Sequence, residues 1–123
     1  MSKSTPNATE PSVRVIVNPA SSSGRGGKVA PRLFDALEAA RIDHRSVMTE
    51  APGDATRLAA EAAQDGVRRI VVVGGDGTIH EVAGGLLASG VDPLPSLAVF
   101  PVGTGNDFFR MVGTKKTEEA VVA

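Results

Sequence analysis

In Val71-Val72-Val73-Gly74-Gly75-Asp76-Gly77-Thr78-Ile79-His80-Glu81 a β-branched run ends abruptly in three glycines set around one aspartate. With Ile70 the run is fully apolar, as in a central strand of a parallel sheet, and a helix is expected from Thr78 to Leu87. Glycine at such a turn permits positive φ and lets backbone N–H groups approach a ligand closely. The start of the helix adds unpaired donors and a partial positive charge, which suits a phosphate. Thr78-x-x-Glu81 has the spacing of a capping box. With nothing bound, the same residues would make a tight strand-to-helix turn with a capped helix. Asp76 favours a ligand, because a carboxylate beside a phosphate cradle repels the anion unless a cation stands between them. Mg²⁺, held by one or two carboxylates with phosphate oxygens and water, is such a cation.

The flanking sequence alternates strand and helix patterns. Val13–Val17 is a β-branched run closed by Asn18-Pro19, and residues 20–28 read as a Ser/Gly loop. Val29, Leu33, Leu37 and Ala40 recur at helical spacing, with Pro31 expected in the permissive first turn. His44–Met48 is a weaker strand. After Pro52-Gly53, Asp54 is the expected N-cap of a helix whose apolar face is Ala55, Leu58, Ala59, Ala62 and Ala63, and Gly66 marks its end. A fourth strand is expected over residues 97–102, a short helix over 108–112 and the start of another over 118–123. Strands alternating with helices imply right-handed crossovers and a mainly parallel sheet covered on both faces, a three-layer α/β/α fold. Ligands of such sheets sit at the carboxyl ends of the strands. All three glycine clusters, at residues 20–27, 74–77 and 103–105, follow strands.

Composition narrows the function. A net charge of −1 offers no general attraction to nucleic acid or to an anionic membrane, and four Phe with no Tyr or Trp give no stacking platform for bases. There is no Cys, which excludes disulfides and thiolate metal sites and suits a reducing cytoplasm. No apolar stretch approaches the roughly 20 residues needed to span a bilayer. His44 and His80 lack partners at the spacing of a catalytic triad or a zinc site. Residues 1–12 are polar and expected to be a disordered tail, leaving 13–123 as one domain.

Gly74-Gly75-Asp76-Gly77-Thr78-x-x-Glu81 resembles the signature of the diacylglycerol kinase catalytic domain family, shared in part with NAD kinases and 6-phosphofructokinases. Pro101-Val102-Gly103-Thr104-Gly105-Asn106-Asp107-Phe108, with Arg110 nearby, resembles the lipid-kinase branch and is not matched by the NAD kinase pattern. The alternative for Asn106 and Asp107 is an Asn-Asp cap on the next helix. Asn18-Pro19-Ala20-Ser21-Ser22-Ser23-Gly24 is similar to the family's Asn-Pro-x-Ser-Gly element, with extra serines that leave open which Ser corresponds. Thr49, ahead of Gly53-Asp54-Ala55, falls where the family has a Thr before a Gly-Asp-Ala turn. His80 departs from the Asn of many relatives.

The resemblance implies an ATP-dependent lipid kinase that transfers the γ-phosphoryl group to a lipid hydroxyl such as that of diacylglycerol, with Mg²⁺. It implies a nucleotide site drawn from Asn18, Pro19, Ser23, Gly24, Thr49, Gly74, Gly75, Asp76, Gly77, Thr78, Ile79, His80, Glu81, Gly103, Thr104, Gly105 and Asn106. In it Gly75, Gly77 and Gly103 would make backbone contacts and Thr49, Thr78 and Thr104 would touch the nucleotide. Asp76, with Asp107 as a weaker candidate, would organise the metal directly or through water. The resemblance also implies that 13–123 is the nucleotide-binding part of a larger catalytic domain. The general base and most of the lipid pocket are expected in a β-rich second domain that is absent from this chain. The expected partners are ATP, a lipid acceptor if that domain is supplied, and a second copy or a partner chain over the exposed domain interface. The expected location is cytoplasmic, peripheral at the membrane when complete. A non-catalytic nucleotide-binding or regulatory module is the alternative, and an NAD-kinase-like activity a more distant one.

Overall fold

The computed structural model describes residues 10–100 and 102. The second glycine motif from Gly103 onward, with Thr104, Gly105, Asn106 and Asp107 and the two expected C-terminal helices, lies outside the described residues, as do residues 1–9. Four strands and three helices alternate: β1 (Val13–Val17), α1 (Ser21–Ala39), β2 (His44–Met48), α2 (Asp54–Gln64), β3 (Arg69–Val73), α3 (Asp76–Ala88) and β4 (Ser96–Phe100). The sheet has the order β2-β1-β3-β4 and every pair is parallel. This is the expected α/β fold.

The period of two along each strand divides the core into two layers. Val13, Val15 and Val17 of β1 share one face with Val71 and Val73, and there they meet Ala30, Leu33 and Leu37 of α1. Ile16, Ile70 and Val72 point the other way, against Ala55, Leu58, Ala59, Ala62 and Ala63 of α2 and Val82 and Leu86 of α3. The small residues of α2 let α3 approach closely. At Gly85 an added methyl would strike the Thr56 carbonyl, so only glycine fits this crossing. Met48, Leu87, Leu94 and Leu97 are the large apolar side chains left exposed among the described residues.

Several local expectations are corrected. Residues 20–28 are not an open loop: α1 starts at Ser21 and passes through a kink where Ser22, Ser23 and Gly24 have φ of 52°, 58° and 95°. Pro31 is consequently inside the helix rather than in its first turn, and Ala40 is exposed beyond its end. Gly53, with φ of 92°, is the N-cap of α2, and Asp54 is the first helical residue. Gly75 likewise precedes α3, which begins two residues before Thr78, so Thr78 is not an N-cap and no capping box forms. β4 ends at Phe100 rather than at Val102. Gly66 stops α2 as expected, with φ of 85°.

The amino-terminal end of the sheet is closed by charge. Arg14, only 3% exposed, pairs with Glu10 and with Asp65 at 3.4 Å, and Arg45 reaches Glu10 at 3.4 Å. Of the expected tail, residues 10–12 are described, and the Ser12 carbonyl accepts from the Arg68 and Arg69 amides, each at 3.0 Å. Among the described residues no helix is long and apolar enough to cross a membrane.

Candidate functional site

The strand order places β1 and β3 side by side, yet their chains leave in opposite directions. After β1 the chain passes through α1 on one face to β2, and after β3 it passes through α3 on the other face to β4. The loops therefore part above the β1–β3 boundary, and a crevice opens at that switch point. A cleft of about 390 Å³ occupies it, lined by Asn18, Ala20, Ser21, Thr49, Glu50, Ala51, Pro52, Ala55, Gly75, Gly77, Thr78 and Glu81.

One wall is the first turn of α3. Its first N–H groups have no intrahelical acceptor by geometry, and no side chain caps them at Gly75. An added methyl at Gly75 or Gly77 would meet nothing within 4 Å, so both face open space. Gly74 differs from its neighbours. It is buried, and a methyl there would come within 2.7 Å of the Thr78 side chain. Its glycine serves the packing of Thr78, which is itself only 5% exposed. Asp76 is exposed at the helix start and His80 is exposed further along. Ile79 packs into the α2–α3 core, and its amide bonds to the Gly75 carbonyl at 3.0 Å.

Asn18 joins this wall to the next. Its side-chain amide donates to Thr78 Oγ1 at 2.9 Å, and its Oδ1 accepts from the Ala20 amide at 3.1 Å. Its backbone amide donates to the Val73 carbonyl at 2.8 Å, continuing the β1–β3 ladder, and its carbonyl accepts from the Ser21 amide and hydroxyl. Gly26 tucks directly under the Asn18 carbonyl, where any side chain would collide. Ser23 and Gly24 form the left-handed kink and do not line the cleft, and neither does Pro19. Arg25 donates from Nε to the Val102 carbonyl at 3.1 Å, tying the start of α1 to the chain just after β4.

The opposite wall is the turn between β2 and α2. The Thr49 amide donates to the Val17 carbonyl at 2.8 Å, anchoring it to the sheet. Asp54 folds back so that its Oδ2 accepts from the Glu50 and Ala51 amides at 2.7 and 3.0 Å. The Glu50 amide chiefly holds the Asp54 carboxyl below its ordinary value of 3.8, with the Ala51 amide and Arg57 adding to this and desolvation opposing it. Glu81 crosses from α3 to accept from the Gly53 amide at 3.3 Å, joining the two walls.

Six of the expected residues thus converge: Asn18, Thr49, Gly75, Gly77, Thr78 and Glu81. Asp76 stands beside them. Of the serines left open by the sequence, Ser21 lines the cleft, and Glu50 and Gly26 are residues the sequence reading does not single out. The Gly-x-Gly-Gly spacing after Gly24 was the signal that could have exposed the close approach at Gly26. Among the described residues no group of three or more His, Asp or Glu side chains could hold a metal by itself.

The model of the diacylglycerol kinase catalytic domain family matches residues 12–123. A diacylglycerol kinase of Bacillus subtilis (strain 168) is 39% identical over 105 residues, covering 85% of this chain and 34% of that protein. The Escherichia coli (strain K12 / DH10B) protein named probable lipid kinase YegS is 46% identical over 61 residues, 50% of this chain and 20% of that protein. Among solved structures, a diacylglycerol kinase from Bacillus anthracis str. Sterne superposes with a TM-score of 0.71 at 35% identity, covering 93% of this chain and 42% of that one. The chain spans about a third of the length of the Bacillus subtilis relative.

Proposed function

Since this chain belongs to the diacylglycerol kinase catalytic domain family, we propose that its cleft binds the phosphates of ATP. Residues 13–123 would form the nucleotide-binding part of an ATP-dependent lipid kinase. The observation that carries this reading is the uncapped start of α3, with Gly75 and Gly77 open to the cleft beside the buried Thr78. Amide donors at a helix start favour an anion, and the open space beside Gly75 and Gly77, in contrast to the packed Gly74, supports placing it there.

In the proposed reaction an oxygen of a lipid hydroxyl, such as that of diacylglycerol, forms a bond to the γ-phosphorus. The bond from that phosphorus to the β–γ bridging oxygen breaks and ADP leaves. The hydroxyl proton passes to a base that we assign outside these 123 residues, together with the lipid pocket. Thr49, Gly75, Gly77 and Thr78 bind and orient the nucleotide, Glu81 supports the facing turn through Gly53, and the Glu50 carboxylate on the wall favours an anion that brings a cation with it. The donor set fits Mg²⁺ bound largely through phosphate and water, with Asp76 the residue to hold it and Asp107 a second, rather than an all-protein cage. When bound, the ion offsets negative charge on the phosphates. Because phosphoryl transfer depends mainly on positioning and electrostatics, holding the donor phosphates is the contribution this segment makes.

Calorimetric titration of the purified chain with Mg-ATP, beside Asp76→Ala, tests the reading. We expect wild-type binding that weakens in the variant, with NAD binding less tightly than ATP. A folded wild-type chain that takes up no Mg-ATP contradicts it.

A further inference from the structure

Asn18 is the residue on which the two phosphate-facing loops depend, and its own polar atoms are already engaged within the protein. The Ala20 N–H can only donate, so the side-chain oxygen of Asn18 must face it, and the NH₂ group must then face Thr78. An NH₂ group can only donate, so the Thr78 hydroxyl accepts from Asn18. The proton of that hydroxyl is thereby turned away from Asn18, and among the described residues it has no acceptor. Thr78 is 5% exposed, packed against Gly74, and lines the cleft next to the open amides of α3. A buried hydroxyl whose proton has no partner is costly unless a ligand takes it.

We propose that Asn18 is a positioning residue: its amide fixes Thr78 as a hydrogen-bond donor aimed into the cleft, and it acts on a bound phosphate through Thr78 rather than by touching it. The proposal rests on the reading of the cleft as a phosphate site. It assigns the first loop an indirect role. Asn18 holds the Ala20 and Ser21 amides with its oxygens and orients a donor on α3 with its nitrogen, so the β1 and β3 loops are set together. An aspartate of the same shape would reverse the arrangement, because it accepts the Thr78 proton and leaves the ligand facing lone pairs.

A double-mutant cycle on Mg-ATP affinity tests this, with Asn18→Ala, Thr78→Val and the pair. Thr78→Val is expected to weaken binding about tenfold, the scale of one hydrogen bond to a charged group, and Thr78→Ser to keep it. Asn18→Ala is expected to weaken binding in the wild-type background and to add nothing in the Thr78→Val background. Losses that multiply overturn the proposal while leaving the phosphate site intact. A folded wild-type chain that does not bind Mg-ATP overturns the site itself. Should Asn18→Ala fail to fold, the ¹⁵N–¹H signals of the Asn18 side-chain amide answer in its place. Saturating Mg-ATP is expected to displace them in the wild type and not in Thr78→Val; equal displacement in both overturns the proposal.

Discussion

The two ends of the sheet spend their polar groups in opposite ways. At the amino-terminal end Arg14, Glu10, Asp65 and Arg45 pair with one another, leaving only Arg14 Nε without a partner among the described buried side-chain atoms, and Ser12 closes onto the amides of Arg68 and Arg69. At the carboxyl end Gly75, Gly77 and Thr78 bring donors together around a cleft and no side chain caps them. Both ends carry charged residues, so charge does not distinguish scaffold from site. The distinction is whether the chain has used its own partners up. The carboxyl end does use some: Asp54 is spent on the Glu50 and Ala51 amides and Glu81 on Gly53. Those bonds shape the walls and, among the described residues, leave the first α3 amides without a partner.

The comparison breaks most readily at the closed end. Arg14→Ala leaves the Glu10 carboxylate with only the exposed Arg45 as partner and is expected to cost about 2–3 kcal/mol of stability in urea denaturation. It should leave Mg-ATP affinity unchanged in the molecules that remain folded. A loss of affinity comparable with that of Asp76→Ala would mean that the two ends are coupled and the contrast is false. Some of the cost of Arg14 is already present in the native state, since its Nε has no partner among the described residues.

Within the open end, adjacent glycines separate packing from binding. Gly74→Ala drives a methyl into Thr78 and is expected to cost about 1–3 kcal/mol as well as nucleotide affinity. Gly75→Ala meets open space at φ −96°. It should change thermal stability by less than about 0.5 kcal/mol and still weaken Mg-ATP binding by crowding the cleft. Equal stability losses in the two would contradict the division of roles.

The smallest effect concerns pH. The folded Asp54 carboxyl titrates below its ordinary value of 3.8 because it accepts the Glu50 amide. Its bonds therefore contribute stability above the unfolded pKa, and the contribution is lost as pH falls through the lower folded value. The stability difference between wild type and Asp54→Ala should be constant near neutrality and shrink only in the acid range below about pH 4. A difference that already fades between pH 5 and 7 would show that another group is responsible.

Much of this arrangement is legible in the residues. β1 is bounded as expected because a β-branched run meets Asn18-Pro19, and β3 ends as expected at Val73, where four apolar residues meet the glycines, though it begins one residue early at Arg69. What escapes is set by contacts distant in sequence. Serine disfavours positive φ, so local preference gives no signal of the left-handed kink at Ser22 and Ser23. Thr78-x-x-Glu81 fits a capping box equally well, and only the partners Asn18 and Gly53 show that both side chains bond to other elements instead. Asp54 misleads by one position because Gly53 takes the cap.

If the unpartnered donors of α3 are the phosphate site, amide chemical-shift mapping of the chain should reveal it. Mg-ATP is expected to displace the Gly75, Asp76, Gly77 and Thr78 amides together, Mg-AMP to displace them less, and both to leave Arg14 and Glu10 in place. Displacements centred on the Arg14 end, or none at residues 75–78 under saturating Mg-ATP, would rule out a phosphate site at the start of α3.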